Sequence, residues 1–520
     1  MHENRETSET PAVKPGSRSA GEGSGRTTRM YVPEESHSGI LPMNHSNKDG
    51  KSLAENEEGR PLIKENAGQS NMHLTQSGER VSQGLAGVRK VARDNKEMKF
   101  TALLHHLTVD LLRASFYSLK RKAAPGVDGV RWQEYETGVE DRLVDLHGRV
   151  HRGAYRAQPS RRVYIEKADG RQRPLGVAAL EDKIVQQAVA TILNQIYEED
   201  FLAFSYGFRP GCSQHDALDA LSYALLKKKV NYVLEVDIRG FFENLDHSWL
   251  IKFVEHRVAD PRILRLIQKW LKAGVIEEGK WSEVKTGSPQ GSVISPLLAN
   301  TYLHYAFDLW VNVWRKKYAQ GDVIVVRYAD DIILGFQHQA EADRFLENLR
   351  ERLGKFGLEL HLDKTRRIEF GRFAEQNRKR RGEGKPETFD FLGFTHISGK
   401  NRLGRFMVRR TTIRKRMRAK LREVKQQLRA RMHDPVPQTG GWLKSVVQGY
   451  FNYYAVPGNL TSLGVFRDRV LALWWRTLRR RSQKRRISWT RILGLAQRWL
   501  PQPCRLHPFP DARFAATHPR

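Results

Sequence analysis

Two apolar runs separated by a pair of acids are the feature that most constrains the fold of this chain. Residues 323–328 and 332–336 are rich in Val and Ile, and Asp330 and Asp331 lie between them. Runs of this kind predict strands, and the short polar interval predicts a β-hairpin with the acids at its turn. Adjacent carboxylates beside buried strands repel each other and lose hydration unless cations neutralise them. The pattern therefore predicts a cation site, with an ordinary polar turn as the alternative.

A second strand ends at an acid farther towards the N-terminus. Residues 233–236 read Val-Leu-Glu-Val, Asp237 follows them, and an aromatic residue, Phe242, stands five positions later. Carboxylate oxygens are the hard ligands that Mg²⁺ prefers. Asp237 is therefore expected to complete the site formed by Asp330 and Asp331.

These segments resemble the catalytic motifs of reverse transcriptases. Residues 328–331 (Tyr-Ala-Asp-Asp) are similar to the family signature, and Asp237 with Phe242 is similar to the preceding catalytic motif, in the same order. The resemblance implies an α+β fold, a right-hand polymerase with fingers and an antiparallel palm sheet, followed by a basic α-helical thumb or maturase domain. It implies RNA-directed DNA polymerase activity with two Mg²⁺ ions, for which Mn²⁺ can substitute. The implied metal-binding residues are Asp237, Ile238, Asp330 and Asp331.

Three further segments resemble the nucleotide-binding parts of the family. The basic hairpin over residues 161–176 resembles the first fingers motif, and the loop over 287–300 resembles the Pro-Gln-Gly motif that lies against the nucleotide. Residues 358–365 resemble the motif whose lysine approaches the departing pyrophosphate. Arginine suits phosphate by its planar donor fork and lysine by its compact charge. The residues assigned to deoxynucleoside triphosphate binding are Lys167, Arg173, Phe242 and Gln290.

The same resemblance gives Lys364 and Phe242 specific roles. Lys364 is expected to act as the general acid, and its alternative role is to cap a strand edge. Phe242 beneath the sugar would exclude a ribose 2′-hydroxyl by steric overlap, and the alternative is an ordinary core aromatic. Residues 389–394 resemble the primer-grip region.

Other segments resemble the reverse transcriptases that bacterial group II introns encode. Residues 123–130 resemble their N-terminal extension, and residues 449–454 and 474–476 resemble their maturase domain. The implied partners are structured group II intron RNA and a DNA target or primer, and the implied functions are splicing assistance and retrohoming. Two alternatives stay open: a splicing maturase that makes little use of its polymerase, and a reverse transcriptase recruited to phage defence. The sequence holds no Cys cluster of the HNH endonuclease type, so second-strand cleavage is not expected.

The charge of the chain favours a polyanionic partner. Lys and Arg number 89 against 58 Asp and Glu, which leaves a formal charge of +31. This excess is larger than solubility requires, although binding proteins without catalysis carry similar charge. Aromatic residues interleaved with cations near the C-terminus suit structured RNA, with a solvated face as the alternative. The expected RNA-binding residues are Arg479, Arg480, Arg481, Lys484, Arg485 and Arg486.

Four regions are predicted along the chain. Residues 1–95 are polar and lack a sustained apolar period, so they are expected to be disordered. Residues 96–160 are expected to extend the fingers, with folded structure starting at Phe100. Residues 161–400 are expected to form fingers and palm, with a helical segment over 183–197. Residues 401–520 are expected to form the thumb and maturase domain with a C-terminal tail, and this region begins with an apolar stripe at helical spacing, made by Ile413, Met417, Leu421, Val424 and Leu428. The basic segment 378–385 is expected to be a flexible insertion.

Cysteine content and hydropathy bear on the cellular setting. The chain has two cysteines and no Cys-x-x-Cys pair, which indicates a reducing, cytoplasmic environment. It contains no run of about twenty apolar residues and no signal-peptide pattern, so neither membrane insertion nor secretion is expected. Dimerisation is left open.

Overall fold

The computed structural model describes most of the chain after its first 83 residues. The described ranges are 84–166, 172–283, 286–287, 291–481 and 487–517. All of them belong to the compact unit Pro42–Arg520, and the other unit, Met1–Leu41, lies outside them. The disorder predicted for residues 1–83 therefore concerns residues outside the described part.

Residues 84–94 form a helix, α1, and correct the prediction that folded structure begins near Phe100. Its apolar residues stand at positions i, i+3 and i+7, which places them on one face. That face is buried in the core beside the following helices. The buried residues are Leu85, Val88 and Ala92.

Helices and antiparallel strands together establish the α+β class that the sequence predicted. The other helices are α2 Val109–Ser118, α3 Trp132–Glu136, α4 Val139–His151, α5 Leu180–Asp200, α6 Gln214–Lys227, α7 His247–Glu255, α8 Pro261–Lys272, α9 Ser295–Leu303, α10 Leu309–Lys317, α11 Gln339–Gly354, α12 Ala374–Arg380, α13 Arg414–Ala430, α14 Val436–Tyr454, α15 Leu460–Arg479, α16 Trp489–Trp499 and α17 Pro510–Thr517. Short 3₁₀ turns cover Leu104–His106 and Phe241–Glu243, and a π-helical turn covers His304–Asp308. None of the described helices has the length and apolar character that crossing a membrane requires.

The strands form three sheets. They are β1 Ser160–Glu166, β2 Gln172–Val177, β3 Tyr232–Val236, β4 Val275–Glu277, β5 Lys280–Ser282, β6 Val323–Tyr328, β7 Asp331–Phe336, β8 Arg366–Glu369, β9 Thr388–Phe391, β10 Phe394–Lys400 and β11 Phe406–Thr412. The sheet orders are β2-β1-β4-β5, β6-β7-β3-β8 and β11-β10-β9. We call β6-β7-β3-β8 the central sheet.

The central sheet is covered on both faces. Its neighbouring strands are antiparallel, and β6 and β7 form the predicted hairpin. Leu234 and Leu334 enter the core that α5, α9 and α11 share, whereas Val233 and Ile333 enter the core that α6, α14 and α15 share. Because both faces are buried, these strands read as continuous apolar runs instead of alternating ones.

The first sheet carries the predicted basic hairpin. β1 and β2 pair in antiparallel register from Arg161↔Val177 to Glu166↔Gln172. Residues 167–171, which separate these two strands in the sequence, lie outside the described residues. α5 follows the hairpin and contains the segment 183–197 that the sequence predicted to be helical.

The third sheet moves the boundary predicted between residues 400 and 401. β10 and β11 pair from Lys400↔Phe406 to Phe394↔Thr412, so this boundary falls inside a hairpin. The all-helical region begins only at α13. There the predicted apolar stripe is confirmed, since Val424 and Leu428 are buried and Met417 packs beside them.

The segment 378–385 is more ordered than the sequence predicted. α12 extends into it as far as Arg380. Arg378 and Arg381 both pair with Glu383, at 3.2 and 2.7 Å. The acids interspersed among these cations supply local ion pairs, which the prediction of a flexible insertion did not take into account.

Candidate active site

A two-residue turn joins β6 to β7 and carries the predicted acids. Tyr328 pairs with Asp331 across the hairpin, which leaves Ala329 and Asp330 as the turn residues. We call Ala329–Asp330 the acidic turn. Ala329 has φ 55°, in the left-handed region that costs a non-glycine residue roughly 1–2 kcal/mol. The predicted hairpin is confirmed, with Asp331 as the first residue of β7.

Asp237 lies beside Asp331 because β3 and β7 are neighbouring strands. Val236 pairs with Ile332, and Asp237 follows the first of these residues while Asp331 precedes the second. Antiparallel pairing therefore brings both acids to the same end of the sheet. The carbonyl oxygen of Asp237 accepts a hydrogen bond of 2.8 Å from the backbone of His361, which holds this end of the strand in place.

Asp237 and Asp331 line a cleft of about 150 Å³, and two positively charged side chains, those of Lys364 and Arg416, also line it. Lys364 Nζ donates to Oδ2 of Asp237 over 2.8 Å. Arg416 reaches the cleft from α13. The remaining lining residues are Glu235, Val236, Ile332, Ile333, Asp390, Phe391, Leu392, Gly393 and Ile413.

The electrostatics of the cleft favour a bound cation. Asp331 keeps exposed surface, but it lies within dense protein. Burial, followed by the negative charges of Asp330 and Asp237, raises the pKa of Asp331 to about 7, and Arg416 opposes the rise. Carboxylates that destabilise each other in this way supply the oxygen donors that a divalent ion takes.

The acidic side chains of the cleft do not converge on a single point. Within the ranges that the structure describes, no three acidic, histidine or cysteine side chains form a ready metal-binding group. Asp237 instead holds the ammonium group of Lys364. Ile238, the next residue, has a buried side chain and forms a bridge with Leu360, so only its backbone carbonyl could act as an oxygen ligand.

Three residues of the cleft were not singled out from the sequence. Glu235 accepts a hydrogen bond of 2.9 Å from Arg366, and Asp390 lies on β9. Glu235 stands two residues before Asp237 on the same strand, so strand alternation could have placed it on the same face. No comparable signal exists for Arg416, because its place depends on how α13 packs.

The segment likened to the primer grip forms a hairpin turn at the rim of the cleft. Leu392 and Gly393 join β9 to β10 with φ 44° and 85°. The hydroxyl of Tyr453 donates to the carbonyl oxygen of Leu392 over 2.7 Å. A Cβ on Gly393 would lie 3.2 Å from the hydroxyl oxygen of Tyr454. α14 therefore holds this turn against the cleft.

The Pro-Gln-Gly segment is anchored on both sides of its centre. Gln290 itself lies outside the described residues. Before it, Gly287 has φ 88°, and a Cβ there would lie 2.8 Å from the carbonyl oxygen of Phe242. After it, Ser292 donates to Oε1 of Gln186 over 2.8 Å. The loop thus connects the segment after Asp237 with α5.

Phe242 and Arg173 occupy different environments. Phe242 is 8% exposed and meets Phe208 edge to face, with ring centroids 6.5 Å apart. Phe208 in turn meets Tyr328 at 6.4 Å. Arg173 pairs with Ile165 in the first sheet and does not line the cleft of Asp237 and Asp331. Lys167 lies outside the described residues.

The predicted RNA-binding arginines end α15. Arg479 and Arg480 are exposed, and the guanidinium of Arg479 lies 4.9 Å from the centre of the Trp475 ring. Arg481 is half-buried and donates to the carbonyl oxygen of Asp434 over 2.7 Å. Lys484, Arg485 and Arg486 lie outside the described residues.

Comparison with known proteins agrees with this geometry. The family model "Reverse transcriptase (RNA-dependent DNA polymerase)" matches residues 165–396, which include Asp237 and the acidic turn. Protein YkfC of Escherichia coli strain K12 is 36% identical, over 49% of this chain and 76% of YkfC. The group II intron-encoded protein LtrA of Lactococcus lactis subsp. cremoris is 34% identical, over 42% of this chain and 37% of LtrA. Nuclear intron maturase 3, mitochondrial, of Arabidopsis thaliana is 27% identical over 24% of this chain and 17% of its own.

The chain belongs to the reverse transcriptase family, among the reverse transcriptase/maturase proteins of group II introns. Its enzyme class is accordingly RNA-directed DNA polymerase, and the family uses divalent metal ions. The matched region spans well under half of LtrA and of the Arabidopsis maturase.

Proposed function

We propose that this protein extends DNA primers on RNA templates by two-metal nucleotidyl transfer, with Asp237, Asp330 and Asp331 as the metal ligands. The observation that carries the proposal is that Asp237 and Asp331 meet at one end of the central sheet, beside the turn that holds Asp330. Burial, followed by the charges of Asp330 and Asp237, raises the pKa of Asp331, and a divalent cation would offset this cost of the ionised carboxylates.

Bound Mg²⁺, or Mn²⁺ in its place, would supply activation of the primer 3′-hydroxyl and neutralisation of the triphosphate. Asp237 accepts a hydrogen bond from Lys364, which keeps the ammonium group of Lys364 beside the proposed metal ligands. Lys364 then stands within the site as a proton donor for the departing pyrophosphate. The backbone carbonyl of Ile238 adds a further oxygen ligand beside Asp237.

The incoming deoxynucleotide is assigned to residues around the cleft. Lys167, which follows β1 in the sequence, and Arg173 on β2 neutralise the triphosphate, and Gln290 contacts the nucleotide. Phe242 excludes ribonucleotides by occupying the space of a 2′-hydroxyl. The anchoring of Gly287 on the backbone of Phe242 supports the placement of Gln290 close to this residue.

The RNA partner is assigned to the helical region after α13. Exposed Arg479 and Arg480, together with Lys484, Arg485 and Arg486, bind structured group II intron RNA, and Arg481 supports the end of α15. The net charge of the chain and the names of its relatives support this assignment. Binding of the intron RNA assists its splicing, and polymerisation on a DNA target primer serves retrohoming.

Primer extension on an RNA template tests the proposal. Purified protein with Mg²⁺ and deoxynucleotides is expected to make DNA, and Asp330→Ala or removal of Mg²⁺ is expected to abolish the product because the metal site is lost. Asp141→Ala, an exposed acid on α4, is the matched control and should extend normally. A folded wild type that binds RNA without extending primers would instead favour a splicing chaperone.

A further inference from the structure

Arg327 is buried directly beneath the acidic turn. Its side chain and that of Asp308 are both 0% exposed, and the two form an ion pair at 2.5 Å. A buried pair is by itself weak evidence for stability, because the loss of hydration offsets much of the attraction. The position of this ion pair beneath the acidic turn therefore indicates a functional role.

The guanidinium of Arg327 uses all five of its N–H donors. Nε and Nη2 donate to the two carboxylate oxygens of Asp308 at 2.7 and 2.5 Å. Nη2 also donates to the hydroxyl of Ser205 at 2.6 Å, and Nη1 donates to Oδ1 of Asn300 at 2.9 Å. The remaining bond runs from Nη1 to the carbonyl oxygen of Ala329 at 3.1 Å. Four bonds thus orient the fork, and the fifth holds the acidic turn.

The contact at Ala329 falls on the strained residue of the turn. Ala329 has φ 55°, and its backbone nitrogen lies so close to Gly207 that a Cβ atom added to Gly207 would overlap it. Asn300 Nδ2 donates to the carbonyl oxygen of Gly207 over 2.6 Å, while its Oδ1 accepts from Arg327. A single connected network therefore holds the acidic turn at two points, the carbonyl oxygen of Ala329 and, through Gly207, its nitrogen. Strained backbone persists where the surrounding contacts fix its conformation in this way.

A π-helical turn brings Asp308 into this network. The turn His304–Asp308 joins α9 to α10, so one continuous helix contains both Asn300 and Asp308. An inserted residue rotates the side chains that follow it by about 100° around the helix axis. The two acceptors of Arg327 on this helix thereby face the same guanidinium.

We infer that Arg327 is a positioning residue of the polymerase site: supported by Asp308 and Asn300, it sets the place of the acidic turn and therefore of the Asp330 carboxylate. The inference rests on the proposed two-metal function. Because the side chain of Arg327 is fully buried, Arg327 acts through the Ala329 carbonyl group. Displacement of a metal ligand weakens metal binding and the chemical step, whereas deoxynucleotide binding by other residues is preserved.

Arg327→Lys tests the inference because lysine keeps the charge opposite Asp308 but lacks the planar fork that reaches Ala329. We expect kcat for primer extension to fall about tenfold or more, with roughly unchanged KM for deoxynucleotides. Half-saturating Mg²⁺ should rise several-fold. Mn²⁺ binding to the protein without nucleic acid, followed by electron paramagnetic resonance, should weaken by a similar factor.

Asn300→Ala provides a second variant in case Arg327→Lys does not fold. It removes one bond to the guanidinium and the bond to Gly207, so kcat and Mn²⁺ affinity should both fall. Thr301→Ala is its matched control, since buried Thr301 on the same helix donates only to the carbonyl oxygen of Leu297. The control should lower Tm to a similar extent while leaving kcat and Mn²⁺ affinity unchanged.

The outcomes separate this inference from the proposed function. Suppose that the wild type binds Mn²⁺ and extends primers, and that folded Arg327→Lys or Asn300→Ala does both equally well. This result refutes the positioning role alone. The positioning role is also refuted if kcat falls in proportion to the fall in Tm, and does so to the same extent in Asn300→Ala and Thr301→Ala. A wild type that neither binds Mn²⁺ nor extends primers refutes the proposed function and this inference together.

Discussion

Phe242 is a buried aromatic residue for which we propose a role in substrate selection. It is 8% exposed and contacts Phe208, whose ring contacts Tyr328 next to the acidic turn. A ring fixed in a dense core keeps its place when a ribose 2′-hydroxyl approaches, so core packing itself can create a steric gate. The same packing is therefore compatible with both roles considered for Phe242, a steric gate and an ordinary core aromatic, and only the effect on substrates distinguishes them.

Truncation of Phe242 is expected to relax sugar selection. In Phe242→Ala the overlap with the 2′-hydroxyl disappears, so the preference for deoxynucleotides over ribonucleotides should fall by about tenfold or more. The measurement is the ratio of kcat/KM for dGTP and GTP in primer extension. Phe241→Leu, at the neighbouring residue, which is also buried, should keep the wild-type ratio. An unchanged ratio in folded Phe242→Ala would identify this residue as a core aromatic without a gating role.

At the scale of elements, α1 is attached to the fold by charge as well as by its apolar face. Arg89 and Arg93 pair with Glu199 at the end of α5, at 2.7 and 3.1 Å. Hydrogen bonds from Arg93 and then Arg89 lower the pKa of Glu199 to about 2. Both arginines are more than half exposed, so solvent screening limits the contribution of this cluster to about 1 kcal/mol.

The attachment of α1 is expected to depend on pH. The pKa of Glu199 is lower in the folded state than in the unfolded state, so its charge stabilises the fold above pH about 4.5. This contribution is lost as the pH falls towards 2. Glu199→Gln should therefore be less stable than wild type by about 1 kcal/mol at pH 7, and the difference should shrink between pH 4.5 and 2.

Urea unfolding over this pH range measures the effect on α1. The exposed Glu347→Gln on α11 serves as the control for removal of one acidic group. A stability difference between wild type and Glu199→Gln that stays constant from pH 7 to pH 2 would contradict the role assigned to the Glu199 carboxylate.

The whole molecule is dominated by positive charge. Its formal charge of +31 attracts any polyanion, so affinity for RNA by itself does not locate a binding surface. Each cation that contacts a phosphate adds to the salt dependence of binding, whereas a distant cation changes mainly the overall field. Salt dependence thus separates contact residues from the general charge.

Exchange of two arginines at the end of α15 is expected to change this salt dependence. In Arg479→Gln/Arg480→Gln the slope of log affinity against log salt for intron RNA should decrease by roughly 1 to 2, because two phosphate contacts are lost. Arg350→Gln/Lys355→Gln removes the same charge from exposed positions on and just after α11, and should leave the slope nearly unchanged. Equal slopes for both double variants, measured by filter binding, would show that Arg479 and Arg480 are a solvated face.

Features that depend on consecutive residues could be predicted from the amino-acid sequence alone. β6, β7 and the acidic turn follow from apolar runs around two acids, and the basic hairpin β1–β2 and the stripe on α13 follow in the same way. These elements arise from local steric preference and side-chain periodicity, which a short window of sequence contains. The acid that ends β3, Asp237, was assigned to the same site on its chemistry, and the family resemblance supported that assignment.

Contacts between groups that are distant along the chain could not be predicted and were found in the folded protein. The tertiary structure brought Arg416 to the cleft of Asp331, placed Asp308 against Arg327, and ordered α1 where polar composition had predicted disorder. Partners of this kind are selected by packing and by the need to satisfy buried charges. Both depend on separation in space, and the spacing of residues along the chain does not contain that information.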